Sequence, residues 1–253
     1  MRTLSGLAIA LAIATGTATA AGATTSAPAI KNVVIVPGAF VDGSGWRVVH
    51  DILIHKGYSV TVAQPRIDTL ANDVDEVADL IRRQDGPVVL VGHSYGGVVI
   101  TQAGNRDKVK ALVYVAGVQP DVGENLSQVV GSMPSPSNDI VPTRDGHLYF
   151  DPKKFGEDFA GDLSKNRTDF MAVSQVPASV GAFGATLPVA AWHTKPSWAV
   201  LTTEDRALSP DLQRWMYQRA GSKVTEVKAS HAVYISQPEA VAKVIEDAAN
   251  GVR

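Results

Sequence analysis

Cysteine is missing altogether from this chain of 253 residues. Its absence excludes disulfide staples, thiol nucleophiles, iron–sulfur clusters and cysteine-based zinc sites. A chain of this length can bury a core large enough to do without cross-links, even outside the cell. A strong charge of either sign is also lacking: 23 lysines and arginines face 25 acidic residues, a formal −2 at pH 7. No basic run exceeds Arg82-Arg83 or Lys153-Lys154, so there is no electrostatic footprint for nucleic acid or for an anionic membrane surface. Histidines at metal-ligand spacing beside a carboxylate are absent, as are the glycine patterns that cradle nucleotide phosphates. No metal, cofactor or nucleic-acid partner is therefore read from the chain. Internal repeats are absent too.

One apolar run stands out. Arg2 is the only charge before Lys31, and Leu4 to Ala14 is unbroken apolar and small residues. Ala18-Thr19-Ala20 offers a small-residue cleavage site, with Ala21-Gly22-Ala23 as a second choice. The apolar stretch is shorter than the ~20 residues a membrane span needs. The segment reads as an export signal over residues 1–23, predicting a secreted or periplasmic protein with no membrane contact after cleavage.

Beyond it, short β-branched runs alternate with amphipathic stretches. Strands are predicted at Val33–Val36, Tyr58–Ala63, Val88–Val91, Val109–Val115, Trp198–Thr202 and Lys223–Val227. Helical periodicity covers Trp46–Lys56, Leu70–Arg83, a stretch opening after Ser94, Pro210–Ala220 and Pro238–Ala249. Continuous apolar strands mark a sheet covered on both faces, and the alternation predicts an α/β fold with a mainly parallel sheet. Residues 31–253 read as one such domain. From about 118 to 195 the alternation stops, with one short helical stretch through Phe155, Phe159 and Leu163, another near Asp169 to Gln175, and no strand signal. That reads as a cap inserted over the C-terminal edge of the sheet.

Gly92-His93-Ser94-Tyr95-Gly96 lies between the third strand and a helix. A G-x-S-x-G sequence in that context holds Ser on a sharp turn with its hydroxyl presented, which makes Ser94 the candidate nucleophile. Of six histidines, His93 occupies the variable position of the turn, where side chains support it. His231 stands four residues past the last predicted strand, on a loop at the same sheet edge, and is the candidate base. The matching carboxylate is Asp205, after the strand ending near Thr202, with Glu204 and Asp121 as alternatives. An oxyanion needs backbone amides. Tyr95, after the candidate nucleophile, supplies one, and Ala39, with Phe40 as runner-up, supplies the other.

With Val36-Pro37-Gly38-Ala39-Phe40, Thr203-Glu204-Asp205-Arg206 and Ser230-His231-Ala232 added to the Ser94 turn, the chain resembles the α/β-hydrolase superfamily. It is similar to the branch of plant methylesterases and hydroxynitrile lyases, and closer still to that branch's exported bacterial relatives. The resemblance runs from Lys31 onward and implies an α/β-hydrolase fold with an inserted cap. It further implies a Ser94–Asp205–His231 triad, Ala39 and Tyr95 as oxyanion donors, and a small carboxylic ester as substrate. Two departures bear on activity. Pro37 replaces a histidine common in relatives, and Gly38 and Ala232 replace the threonine and lysine that the lyases need. Ester hydrolysis is thus the favoured expectation, with a lyase or a non-catalytic binding scaffold as alternatives. Met133, Phe150, Phe155, Phe159, Met171, Phe183 and Trp192 are candidate cap residues around a pocket.

Overall fold

Six strands form one sheet in which every pairing is parallel: β1 (Asn32–Val36), β2 (Ser59–Val62), β3 (Val88–His93), β4 (Val109–Val115), β8 (Ser197–Thr202) and β9 (Lys223–Val227), in the order β2-β1-β3-β4-β8-β9. The structure is a computed structural model and describes residues 30–252. The export signal read over residues 1–23 lies outside the described residues.

Side-chain alternation divides the strands between two apolar layers. Val34, Leu90, Leu112 and Leu201 face one layer, and Val33, Val89, Val113 and Val200 face the other. The first layer receives α2 (Leu70–Arg83), α3 (Tyr95–Ala103) and α7 (Pro210–Arg219). The second receives α1 (Arg47–His55), the short α8 (Val233–Ser236) and α9 (Pro238–Gly251). The four central strands are buried almost throughout, whereas the edge strand β2 is half-buried and β9 largely exposed. That is why the central runs read as unbroken apolar sequence and the edges do not. Helix starts follow local chemistry. Thr69 caps α2 by accepting from the Asn72 amide, and Pro210 and Pro238 open α7 and α9 where no amide is needed.

Between β4 and β8 the chain forms α4 (Leu126–Val130), β5 (Ile140–Pro142), β6 (His147–Phe150), a single π-helical turn at Phe155–Phe159, α5 (Lys165–Val173), β7 (Ala178–Ser179) and α6 (Val180–Gly184). The expectation of a segment without strands is corrected: β5, β6 and β7 make a small antiparallel sheet. These strands have two to four residues, and β5 is exposed throughout, so no apolar alternation marks them. A signal was nonetheless present, since Asp145-Gly146 with Gly146 at φ +85° is hairpin-turn chemistry. The helical stretch expected near residues 169–175 begins earlier, at Lys165.

Candidate active site

The sheet order reverses between β1 and β3, so the turns after these two strands share one crevice at the carboxyl edge. Ser94 is the hinge from β3 into α3, at φ +50° and ψ −120°. A side chain held there costs of order 1–3 kcal/mol, which the packing around it must offset. A Cβ on Gly92 would strike the Gly96 carbonyl, and one on Gly96 the Val36 carbonyl. Only glycine therefore allows strand, turn and helix to close so tightly. Gly38, after β1, lies as close: a Cβ there would come within 2.7 Å of both Ser94 Cβ and His93 Nδ1. Ser94 itself is half-buried. Tyr95 is the first residue of α3, so its amide has no acceptor within the helix.

The other two candidates meet on the neighbouring loops. His231 Nδ1 donates to Asp205 Oδ2 at 2.8 Å, and both residues are buried. Asp205 Oδ2 also accepts from Thr202 Oγ1 (2.7 Å) and Gln213 Nε2 (3.0 Å), and Oδ1 from the Ala207 (3.0 Å) and Leu208 (2.8 Å) amides. Five donors on two oxygens fill the acceptor capacity of an ionised carboxylate and fix its plane. The alternatives lie elsewhere. Glu204 pairs with Lys228 at 3.5 Å, and Asp121 contacts His193 Nε2 at 2.6 Å.

Two supporting residues complete the site, and the role of the first escaped the sequence reading. Gln213 is fully buried on α7 beside Leu212, Met216 and Tyr217. A polar residue on the apolar stripe of an amphipathic helix was the signal available. His93 is the second. Its Nε2 donates to the His231 carbonyl at 3.0 Å, and the two rings lie 4.7 Å apart. Burial, and then the nearby His231, push the His93 imidazole well below its ordinary range, so it stays neutral.

Tyr95 anchors the start of α3 from its other end. Its hydroxyl donates to Asp73 Oδ2 at 2.7 Å, while Asp73 Oδ1 accepts from the Ile67 amide at 3.1 Å. Burial raises the Asp73 carboxyl above its ordinary value despite these hydrogen bonds.

The cap residues sort into different places. Phe159 sets its ring edge-on to His231 at 4.8 Å and stacks on Phe155 at 4.6 Å. Phe183 stacks on Tyr95 at 5.7 Å and meets Phe40 edge-on at 6.2 Å. Met171 lines a groove of about 670 Å³ that also touches Phe40, Arg167 and Tyr234. Met133 and Phe150 border a second cavity of about 480 Å³ beside Ala207. Trp192 stacks on His193 and donates to the Pro120 carbonyl, with Asp121 nearby rather than His231. Among the described residues, no cluster of three His, Asp or Glu side chains is placed to hold a metal. Among the same residues, no helix is long and apolar enough to cross a membrane.

A parallel sheet, a strained serine turn at its order reversal and a carboxylate-bound histidine beside it define a hydrolase scaffold, and the chain belongs to the alpha/beta hydrolase family, whose model matches residues 33–244. It is 25% identical to norfluorocurarine synthase 2 of a Strychnos species, over 83% of this chain and 91% of that one. It is 26% identical to a putative chloroplastic methylesterase of Arabidopsis thaliana, over 82% of this chain and 65% of that one. The crystal structure of a pyrethroid hydrolase from Sphingobium faniae superposes with a TM-score of 0.74 at 25% identity, covering 87% of this chain and 97% of that one.

Proposed function

We propose that the protein is a serine esterase that cleaves small carboxylic esters through an acyl-enzyme. The observation that carries this reading is the buried His231–Asp205 hydrogen bond of 2.8 Å at the sheet edge where Ser94 turns into α3. With Nδ1–H donating to Asp205, His231 Nε2 carries the lone pair. Nε2 removes the Ser94 Oγ proton as Oγ bonds to the ester carbonyl carbon. The Tyr95 and Ala39 amides receive the oxyanion, and the α3 N-terminus favours its charge. Collapse breaks the bond to the leaving alkoxide, which takes the proton back from His231. Water, deprotonated by the same nitrogen, then attacks the acyl carbon, and as the bond to Oγ breaks His231 returns that proton to Ser94 Oγ and the acid is released. Asp205 stays ionised throughout and stabilises the imidazolium formed in each half.

Gly38 speaks against cyanohydrin cleavage. The lyase pattern puts a threonine there, and even the first carbon of its side chain would meet Ser94 and His93. Ala232 supplies no cation for a cyanide leaving group. The names of relatives, a pyrethroid hydrolase and a putative methylesterase among them, support ester chemistry. We also propose that the mature protein works outside the cytoplasm, on a small-molecule ester, without nucleic acid or membrane as partner. The support is the apolar segment after Arg2 and the near-balanced charge.

The test is Ser94→Ala, assayed on p-nitrophenyl esters of increasing chain length and with a fluorophosphonate label. Ester turnover is expected to fall at least ~10³-fold, labelling to vanish and the circular dichroism spectrum to persist. A variant that keeps more than a few per cent of turnover overturns the assignment. Cyanide release from mandelonitrile at a rate near that of ester turnover would instead make the enzyme a lyase.

A further inference from the structure

One short stretch of the cap touches both loops that carry the proposed base and its carboxylate. Asp162 Oδ2 accepts from the Ser230 amide at 3.0 Å, and Asp162 Oδ1 accepts from Ser230 Oγ at 2.5 Å. Ser230 Oγ in turn accepts from the Ala232 amide at 3.2 Å. The residues on both sides of His231 are thereby tied to one carboxylate 68 positions away in sequence. The carbonyl of His231 is held separately, by His93. Four residues before Asp162, the buried Asp158 pairs with the guanidinium of Arg206, the residue after Asp205. Between them, Phe159 lays its ring edge against the imidazole. The π-helical turn Phe155–Phe159 and the residues just after it thus reach the base, its backbone and the acid loop together.

We propose that residues 155–162 act as a clamp, with Asp162 a positioning residue for His231 and Asp158 a positioning residue for Asp205 through Arg206. The proposal rests on the esterase reading above. Asp162 is exposed, so its carboxylate is not needed to fill the core, whereas its partner Ser230 is buried. Without the carboxylate, the Ser230 amide and hydroxyl lose their acceptor, and the loop can relax around His231. Proton transfer needs Nε2 within hydrogen-bond reach of Ser94 Oγ, and a displacement of about 1 Å at such a site costs on the order of 10²-fold. Asp162 acts through Ser230 on the position of His231, so the loss is expected in kcat.

The experiment compares Asp162→Ala, Asp162→Asn, Ser230→Ala and the double variant Asp162→Ala/Ser230→Ala on p-nitrophenyl butyrate. Rates are expressed per site titrated to completion by a fluorophosphonate, so that unfolded protein is not counted. Asp169→Asn, on the exposed Lys165–Asp169 pair of α5, serves as the neutral control. Asp162→Ala is expected to lower kcat about 10- to 100-fold with KM within about twofold, and to slow labelling of Ser94 by the same factor. Asp162→Asn, which keeps an acceptor, should recover much of the loss, and the double variant should be no worse than Asp162→Ala. A kcat for Asp162→Ala within about twofold of wild type, or losses that add in the double variant, would overturn the clamp. Ser94→Ala run alongside separates the two levels. An inactive Ser94→Ala beside a fully active Asp162→Ala removes the clamp alone, while an active Ser94→Ala removes the esterase reading and the clamp with it.

Discussion

The turn around Ser94 and the cap above it are held by different kinds of contact. At the turn, backbone lies against backbone: Gly96 packs on the Val36 and Pro37 carbonyls, and Gly97 on Val118. The non-glycine residues with left-handed backbone among those described are Phe40, Ile67, Ser94 and Ala116, and they follow β1, β2, β3 and β4 in turn. None lies within the cap. The cap instead grips by side chains, through Asp158, Asp162 and the rings of Phe159 and Phe183. Steric closure fixes the nucleophile turn and leaves little to adjust. Hydrogen bonds fix the histidine and its carboxylate, and those can be weakened one at a time. The two halves should therefore fail differently when perturbed.

The largest expected effect comes from a single atom change on the hydrogen-bonded side. In Asp205→Asn, the amide nitrogen facing His231 would be a donor, which forces the imidazole proton onto Nε2 and removes its lone pair. Thr202 and Gln213, both donating to Oδ2, would lose an acceptor as well. We expect kcat to fall roughly 10³- to 10⁴-fold with folding preserved. Glu204→Gln and Asp121→Asn, whose side chains bond to Lys228 and His193, should stay within about twofold of wild type. Steady-state kinetics on one ester decides it, and equal losses at Asp121 would move the acid to that loop.

On the steric side, Gly96→Ala adds one methyl where only backbone can move. The Val36 and Pro37 carbonyls cannot retreat without opening the β1–β3 pairing. A loss of about 3 kcal/mol in unfolding free energy is expected, accompanied by loss of activity. Gly184→Ala, at the end of α6 with nothing within 4 Å of the added atom, should change stability by under about 1 kcal/mol. Urea unfolding midpoints of the two variants give the contrast directly. Similar midpoints would show that the turn is more compliant than its glycines indicate.

The same division explains what could be read from the chain alone. The strands β1, β3, β4 and β8 were legible because burial on both faces leaves continuous β-branched runs such as Val33–Val36 and Val88–Val91. The Ser94 turn was legible because steric closure demands glycine at fixed offsets, a constraint local in sequence. Asp205 and His231 could be placed at one edge because a helix and a strand separate them, and the structure does bring them to 2.8 Å. The contacts made by Asp73, Asp158 and Asp162 leave no such trace. Asp158 meets Arg206 across 48 positions and Asp162 meets Ser230 across 68, with no periodicity connecting them. The cap sheet escaped for a related reason: its strands have two to four residues, and β5 is exposed throughout, so burial imprints no pattern.

The smallest effect sharpens the comparison at Asp73, where a side-chain contact serves the steric half. Its carboxylate takes the Tyr95 hydroxyl and the Ile67 amide, and so braces both the start of α3 and a left-handed residue. No cation compensates it among the ion pairs of the described residues, and burial raises its carboxyl in the folded state. The sign of the pH effect follows. A raised folded-state pKa means that the native protein holds this proton more tightly than the unfolded chain does. Between the unfolded and folded values, acidification therefore favours the native state, and at neutral pH the buried charge costs stability. Asp73→Asn removes that charge while its Oδ1 can still accept from Ile67 and its amide can donate to the Tyr95 oxygen. The variant should match or exceed wild type at pH 7 by about 1 kcal/mol or less, the net scale of one hydrogen bond. Its advantage should shrink on acidification, as wild-type Asp73 takes up the proton that its burial favours. Urea unfolding of both proteins at pH 7, 5.5 and 4 measures the trend. If the variant instead gains on wild type during acidification, the carboxylate is stabilised as an anion and the bracing of Tyr95 is ionic in origin.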